Sequence, residues 1–190
     1  FYTASHDLLI RLVEDFAALS LLPRPRGAPG APPLSAILGT ALDIDLLPFE
    51  TLRGTLGDWT SMALWSAICV VNTRHITWDS AAAAQFGIDY VTDELRAPAS
   101  LAMVARTLAI PYATAWRHAV ELERRGLMAR QDRGWVVATR HFLTPGIAEG
   151  GAAGAHYALR RIGDLVAMGL DPAAAADLYL KGRPPVATFA

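Results

Sequence analysis

Residues 101–137 constrain the fold more than any other stretch, because an apolar helical pattern stops there at one defined point and then resumes. Four apolar residues are spaced as on one side of an amphipathic helix: Leu101, Val104, Ala105 and Leu108. Ser100 precedes them and is suited to cap that helix. Pro111 then disfavours helical geometry at Ile110 and suits the first turn of a following helix. The sequence therefore predicts two helices joined by a short turn.

The second helix is predicted to bury small side chains and to end at a glycine. Three of its residues share one face at spacings of four and three: Ala115, Ala119 and Leu122. Arg124 and Arg125 place cations in its last turn, and Gly126 is available as a left-handed cap. Residues 127–130 and 135–137 are expected to form two strands around the polar turn 131–134. Helix, turn, helix and hairpin in this order form a winged helix.

These residues resemble a bacterial family. Residues 110–118 look like the recognition helix of winged helix-turn-helix transcriptional regulators, and residues 122–130 are similar to the junction between that helix and the wing. The broad group includes MarR-, IclR- and GntR-type regulators, and the resemblance covers about a quarter of the chain. It implies double-stranded DNA as the partner.

Two positions depart from the pattern of that group. Ala109 stands in the turn where glycine is usual, which predicts a slightly different turn geometry. Trp116 stands where a small polar residue is common.

The charge of this region supports the same partner independently of the resemblance. Between Arg96 and His141 the chain has eight arginines and three acidic residues, a balance of plus five. The whole chain carries minus one, so the remainder sums to minus six. A basic module within an acidic protein is the electrostatic pattern expected for phosphate contacts. Sixteen arginines against one lysine also indicate a GC-rich bacterial genome.

The face of the second helix opposite its buried alanines is predicted to meet DNA. Arg117 is the best candidate for reading a base, because a guanidinium reaches O6 and N7 of guanine together. Arg130 and Arg133 belong to the wing, where they follow the phosphate backbone or enter the minor groove. The full predicted DNA-binding set is Ser100, Tyr112, Ala113, Thr114, Trp116, Arg117, His118, Arg124, Arg130 and Arg133. Val120 is also predicted to point outward.

Some of these residues have structural alternatives. Arg124 is also suited to cap its own helix, and the Thr114 hydroxyl to bond back within the helix. His118 is expected to be a half-buried polar residue, and Trp116 is as well suited to pack under the wing as to touch DNA.

Outside this module the sequence predicts further helices and one linker. Helices are expected at residues 7–22, 34–42, 46–52, 58–75, 80–86 and 155–168, and a last short one after Asp171 and Pro172. Residues 23–33 hold five prolines and two glycines, as in a mobile linker. Residues 144–146 are expected to break the chain before the glycine-rich residues 149–154, residues 87–90 to form an irregular turn, and the tail from Gly182 to fray.

The predicted organisation has five parts. An N-terminal amphipathic helix (1–22) and the linker (23–33) precede a helical domain (34–95), the winged helix-turn-helix (96–143) and C-terminal helices (144–190). The C-terminal helices are expected to contribute to a homodimer, because a two-fold pair of recognition helices matches a palindromic site.

Motifs for catalysis are mostly absent. The chain has no phosphate-cradling glycine loop, no zinc-ligand spacing and no glycine-flanked nucleophilic serine, so no enzyme, cofactor or metal is expected. The longest apolar run, residues 62–71, is too short to span a bilayer. No secretory signal is expected, and a single cysteine, Cys69, fits a reducing cytoplasm and a small core residue.

The sequence thus predicts a mainly α-helical protein with a central winged helix-turn-helix and a two-stranded β wing. Its expected role is a sequence-specific, homodimeric transcriptional regulator, with the operator, any effector and the direction of regulation left open. In one alternative the winged helix serves only as a protein-interaction module. In another, the helix at 58–75 lines a small-molecule pocket with Trp59, Trp65, Asn72 and His75, flanked by Trp78 and Asp79.

Overall fold

A computed structural model describes residues 2–24, 30, 32–77, 79–86, 90–131, 133–179 and 182. These residues are mainly helical and include a small two-stranded antiparallel sheet, as predicted. The helices are, in chain order, α1 (Tyr2–Ala18), α2 (Leu34–Leu56), α3 (Trp59–Thr77), α4 (Ser80–Gln85), α5 (Leu101–Thr107), α6 (Tyr112–Arg124), α7 (Thr139–Phe142) and α8 (Pro145–Ala167). Strands β1 (Ala129–Gln131) and β2 (Gly134–Val136) and two 3₁₀ turns (Asp93–Leu95 and Pro172–Leu178) complete the described elements.

The chain divides into two compact units. Among the described residues, one contains residues 2–51, 150–179 and 182, and the other contains residues 52–149. Both boundaries fall inside long helices, α2 and α8, whereas the sequence predicts one helical domain over residues 34–95. The difference arises because the start of α2 packs with α1 and the end of α8 in the first unit. Residues 25–29 and 31 of the expected linker, and 183–190 of the expected tail, lie outside the described residues.

The first unit is built on one apolar core. Its buried side chains come from α1, α2, α8 and the last 3₁₀ turn: Leu9, Ile10, Val13, Ile37, Ala41, Ile44, Ala158, Ile162, Leu165, Val166, Leu170 and Ala175. The 3₁₀ turn starts where predicted, at Asp171, whose carboxylate accepts the backbone N–H of Ala173 at 3.0 Å. Helix α1 starts earlier than expected, at Tyr2, and ends at Ala18.

One expected interruption is absent, and the last long helix begins earlier than expected. The segments 34–42 and 46–52 form one helix, α2, with Pro48 inside it. Pro48 removes one intrahelical donor, and the burial of Ile44 and Leu56 on either side favours an uninterrupted helix. The break expected at residues 144–146 falls between α7 and α8, and the glycine-rich residues 149–154 are helical within α8, which begins at Pro145. Each glycine there costs about 1 kcal/mol relative to alanine, an amount that tertiary packing overrides.

Helix α3 is the central element of the second unit and packs against α5, α6 and β2. Asp58 caps it as predicted, since its carboxylate accepts the backbone N–H of Ser61 at 2.8 Å. Most of its circumference is buried, including Leu64 and Ile68, while Val70 is exposed.

One buried amide, Asn72, joins α3 to the hairpin. Its Nδ2 donates to the carbonyl oxygens of Ala97 at 2.7 Å and Trp135 at 3.1 Å. Its Oδ1 accepts the backbone N–H of Val137 at 2.9 Å. The residue is fully buried, and so is Val137, whose N–H is satisfied inside the protein by this side chain.

The hairpin also has a third, one-residue partner that the sequence did not reveal. Ala99 and Trp135 exchange two backbone hydrogen bonds, both of 2.9 Å. Gly134 makes this approach possible, because a Cβ at Gly134 would lie only 2.8 Å from the carbonyl carbon of Ala99. Its φ of +150° is also rarely adopted by residues with side chains.

We predict that Asn72→Ala lowers the free energy of unfolding by about 2–4 kcal/mol, because it leaves the buried N–H of Val137 without a partner and removes the side-chain hydrogen bonds to the carbonyls of Ala97 and Trp135. Urea unfolding followed by circular dichroism measures the change. Thr77→Ala is the matched control, because the Thr77 hydroxyl is exposed on the same helix and bonds only to Thr73 O. Equal stability of the two variants would contradict the role given to Asn72.

His141 predicts a pH dependence of stability. Its buried ring accepts the Ala138 N–H at Nδ1 (2.9 Å), and burial, followed by the charge of Arg140, lowers its pKa below the usual 6.5. The unfolded chain therefore takes up a proton near pH 6.5 while the folded protein does not. The stabilisation that comes from the neutral His141 ring is therefore complete above pH 6.5 and is lost as the pH falls below it. Urea unfolding at pH 7.5 and at pH 5.5 measures how much free energy of unfolding is lost between the two. The loss should be smaller for His141→Gln than for the wild type or for His75→Gln, which changes an exposed histidine and serves as the control. Equal losses in all three proteins would contradict the role given to His141.

Candidate nucleic-acid interface

Helix α6 is held from behind by small side chains. Ala115, Ala119 and Leu122, the three residues predicted to face inward, are fully buried. They pack the helix against α3 and α5. Alanine at two of the three positions lets the helix backbones cross closely, which restrains the opposite face of α6.

The turn before α6 is closed by a residue in an uncommon conformation. Ala109 has φ of +52°, and the following Ile110 donates its N–H to Ala105 O at 3.0 Å. Ala109 thus adopts a left-handed conformation, which favours glycine over residues with a side chain. Pro111 lies at the N-cap of α6. Ser100 caps α5 as predicted, through a long hydrogen bond of 3.5 Å from Met103 N.

The end of α6 follows the sequence prediction closely. Gly126 has φ of +70°, and its N–H donates to Glu123 O at 2.8 Å. The N–H of Leu127 donates to Leu122 O at 2.9 Å, which completes a glycine-based helix cap. Arg125 adds an anchor that the sequence does not predict, because its guanidinium donates to the carbonyl oxygens of Thr55 and Leu56. No local pattern around Arg125 indicates partners seventy residues away.

The outward face of α6 is the one expected from helical geometry. Its exposed residues are Tyr112, Ala113, Trp116, Arg117, Val120, Glu121 and Arg124, and Glu123 is exposed at its edge. Arg117 lies in the middle of this face, about one and a half turns from the start of the helix. Among the described residues it has no ion pair, so its guanidinium is available to a ligand.

Two predicted contact residues turn away from this face. The Nδ1 of His118 lies 2.9 Å from Ser61 Oγ and 3.6 Å from Asp58 Oδ1, so the ring faces the start of α3. Hydrogen bonds from Ser61, first from its backbone N–H and then from its side chain, hold the pKa of Asp58 below its usual value. His118 is thus a half-buried polar residue, as the structural alternative held, and Thr114 is also half-buried.

The arginines of the basic region differ in how exposed they are. Arg96 is buried, pairs with Asp93 at 3.3 Å and lies over the ring of Phe142. Without it the region holds seven arginines and three acids, a balance of plus four rather than plus five. Arg124 is exposed but donates to both carboxylate oxygens of Glu121, at 2.9 and 2.7 Å. These bonds lower the pKa of Glu121.

The two arginines expected in the wing are both exposed. Arg133 lies in the turn of the hairpin, next to Asp132, which is outside the described residues. The guanidinium of Arg130 lies over the indole of Trp116, 5.1 Å from the ring centroid. The backbone N–H of Arg130 also donates to Glu123 Oε1 at 3.1 Å, so the hairpin is attached to α6 at two points.

The residues of the alternative small-molecule pocket do not come together. Trp65 is buried and its Nε1 donates to Leu127 O at 2.9 Å, while the amide of Asn72 is used as described above. Trp59 is 56% exposed, His75 is exposed, and sixteen residues of helix separate them by about 24 Å. Asp79 caps α4, and Trp78 lies outside the described residues. Burial raises the pKa of the Cys69 thiol, which keeps it protonated and a poor nucleophile.

An open groove of about 690 Å³ lies between the start of α3 and α6. Its charged and polar lining residues are Asp58, Ser61, Arg117, His118, Glu121 and Arg125. Two arginines face two carboxylates there, so the groove as a whole has little net charge. Because Arg117 belongs to its wall, the groove adjoins the exposed face of α6.

Comparison of the chain with protein-family models, with curated proteins and with solved structures gave no match. Over the described part of the chain, no helix is both long and apolar enough to cross a membrane. The same residues include no group of histidine, cysteine and acidic side chains arranged to hold a metal ion.

Ala109 supplies a test of the turn that positions α6. Ala109→Gly should raise the free energy of unfolding by a few tenths to about 1 kcal/mol, because glycine removes the left-handed strain at some cost in chain entropy. The control is Ala102→Gly, an exposed position inside α5, which should lower it by about 1 kcal/mol. Both values come from urea unfolding. Destabilisation of similar size in both variants would show that Ala109 is not strained.

Proposed function

We propose that this protein is a sequence-specific transcriptional regulator that binds double-stranded DNA through a winged helix-turn-helix. In this proposal α5 and α6 are the two helices of the motif, α6 is the recognition helix, and the hairpin β1–β2 is the wing. The observation that carries the proposal is the two-sided character of α6: a rigidly packed inner face and an outward face with an accessible arginine, Arg117.

The dimensions and chemistry of α6 suit the major groove. A helix of thirteen residues is about 20 Å long, and the groove, about 12 Å wide, admits one helix. Ala113, in the first turn, has a methyl side chain that lets the helix start approach the bases. Arg117, one turn later, has the two parallel donors that match guanine O6 and N7. Backbone contacts alone do not select a sequence, so Arg117 has the central role in specificity.

The exposed arginines around α6 supply the affinity that does not depend on sequence. Arg133 projects from the hairpin turn, and Arg106 and Arg140 are also exposed. Phosphate neutralisation by such residues releases counterions, so binding weakens as salt rises. Arg124 contributes less, because phosphate has to replace its bonds to Glu121.

A homodimer is part of the proposal. One recognition helix reads only a few base pairs, whereas two helices related by a two-fold axis double the interface and match a palindromic site. The predicted cellular location is the cytoplasm of a bacterium.

A second candidate function, a protein-docking module, is favoured by one observation. Tyr112, Trp116 and Val120 form an exposed apolar row along α6, next to the row that contains Arg117. Aromatic side chains are enriched at protein interfaces, so a partner protein would use this row rather than the arginines. In that case a labelled duplex shows no salt-dependent binding, and Arg117→Ala has little effect on binding of the partner protein.

The roles of Arg117 and Arg133 are tested by comparing a preferred duplex, selected with the wild type, with a duplex of random sequence. Arg117→Ala should weaken binding to the preferred duplex by about tenfold or more and barely change binding to the random one, because it removes base readout worth about 1–3 kcal/mol. Arg133→Ala should weaken both and reduce the salt slope by about one.

Fluorescence anisotropy at several salt concentrations measures both effects. Arg53→Ala is the control, because Arg53 is exposed on α2, away from α6 in the sequence. Equal losses on both duplexes for Arg117→Ala would contradict its role as the base-reading residue.

A further inference from the structure

We propose that Trp116 is a positioning residue for Arg130: its indole holds the guanidinium where α6 meets the hairpin, so that Arg130 binds a DNA phosphate there. This inference rests on the proposed function. It assigns Trp116 a task different from touching DNA itself.

Trp116 is enclosed on several sides although it lies on the outward face of α6. Its ring is 36% exposed, and its centroid lies 6.0 Å from that of Trp135, in an edge-to-face arrangement. Tyr112 is stacked near it at 6.4 Å. Trp135 is buried and belongs to β2, so its contact fixes the indole relative to the hairpin. A ring held in this way is a fixed platform.

The backbone of Arg130 is fixed relative to the same platform. Arg130 pairs with Trp135 in the antiparallel sheet, and directly paired residues have their side chains on the same face. The bond from Arg130 N to Glu123 Oε1 ties this point of β1 to the last turn of α6. Only the side chain of Arg130 then retains freedom, and stacking on Trp116 restricts it.

The stacked arrangement suits phosphate binding. Tryptophan gives the strongest cation–π contact of the aromatic residues, and a guanidinium over an indole uses its face for the contact. The edge of the guanidinium, which carries the N–H donors, stays available for a phosphate and binds it through two parallel hydrogen bonds. Because less freedom is lost on binding, a stacked arginine binds more tightly than a mobile one.

The test measures how log K for a random 20-base-pair duplex changes with log salt, in the wild type and in variants. Arg130→Ala should make the slope less steep by about 0.9, the value of one phosphate contact. Trp116→Leu, which keeps an apolar side chain but removes the ring, should make the slope less steep by a similar amount. Trp116→Phe, which keeps an aromatic face, should retain most of it. The double variant Trp116→Leu with Arg130→Ala should match Arg130→Ala alone.

The outcomes separate this inference from the proposed function. A wild type that does not bind the duplex overturns both. If the salt slope of Trp116→Leu equals that of the wild type, the positioning role is overturned and DNA binding stands. The same holds if the slope of the double variant falls by the sum of the two single changes. Thermal unfolding shows which variants fold, and Trp116→Met replaces Trp116→Leu in the comparison if the leucine variant does not.

Discussion

The second unit depends on the buried amide of Asn72. Through one side chain, α3 is bonded to the loop at Ala97, to Trp135 within β2 and to Val137 just after it. An apolar residue of the same size would leave the buried N–H of Val137 unpaired and would remove two further bonds, which explains why a polar residue is used at the centre of an apolar helix. The hairpin is therefore held in place by directional bonds as well as by packing. Any function that needs the hairpin beside α6 relies on them.

Helix α6 is fixed at both ends and along its back, and its outer face carries no comparable constraint. Ala109 in the left-handed region closes the turn before it, and Gly126 closes the cap after it. Trp116 and Glu123 then attach the hairpin to the helix. This combination gives a rigid surface on which arginines project at set positions. Such preorganisation reduces the cost of ordering side chains when a ligand binds.

Local sequence rules were sufficient where the determinant lies within a few residues. Asp58, Pro111 and Gly126 mark helix ends as expected, and the spacing of Ala115, Ala119 and Leu122 correctly separated the buried face of α6 from its exposed one. Features that depend on distant partners were missed. Arg96 is buried because Asp93 and Phe142 receive it, His118 turns towards Ser61, and Ala99 joins the hairpin. The continuity of α2 across Pro48 likewise depends on the core on either side of it. The candidate interface was therefore predictable as a helix face, and its individual side chains only in part.

The central claim is that duplex DNA contacts the outward face of α6 and the hairpin turn. Amide chemical-shift mapping of the ¹⁵N-labelled protein, titrated with a short random duplex at low salt, tests it most directly. The account predicts that the largest shifts fall on Tyr112, Ala113, Arg117 and Arg133 and disappear when salt is raised. Shifts confined to residues outside α6 and the hairpin, or no shifts at low salt, would contradict it.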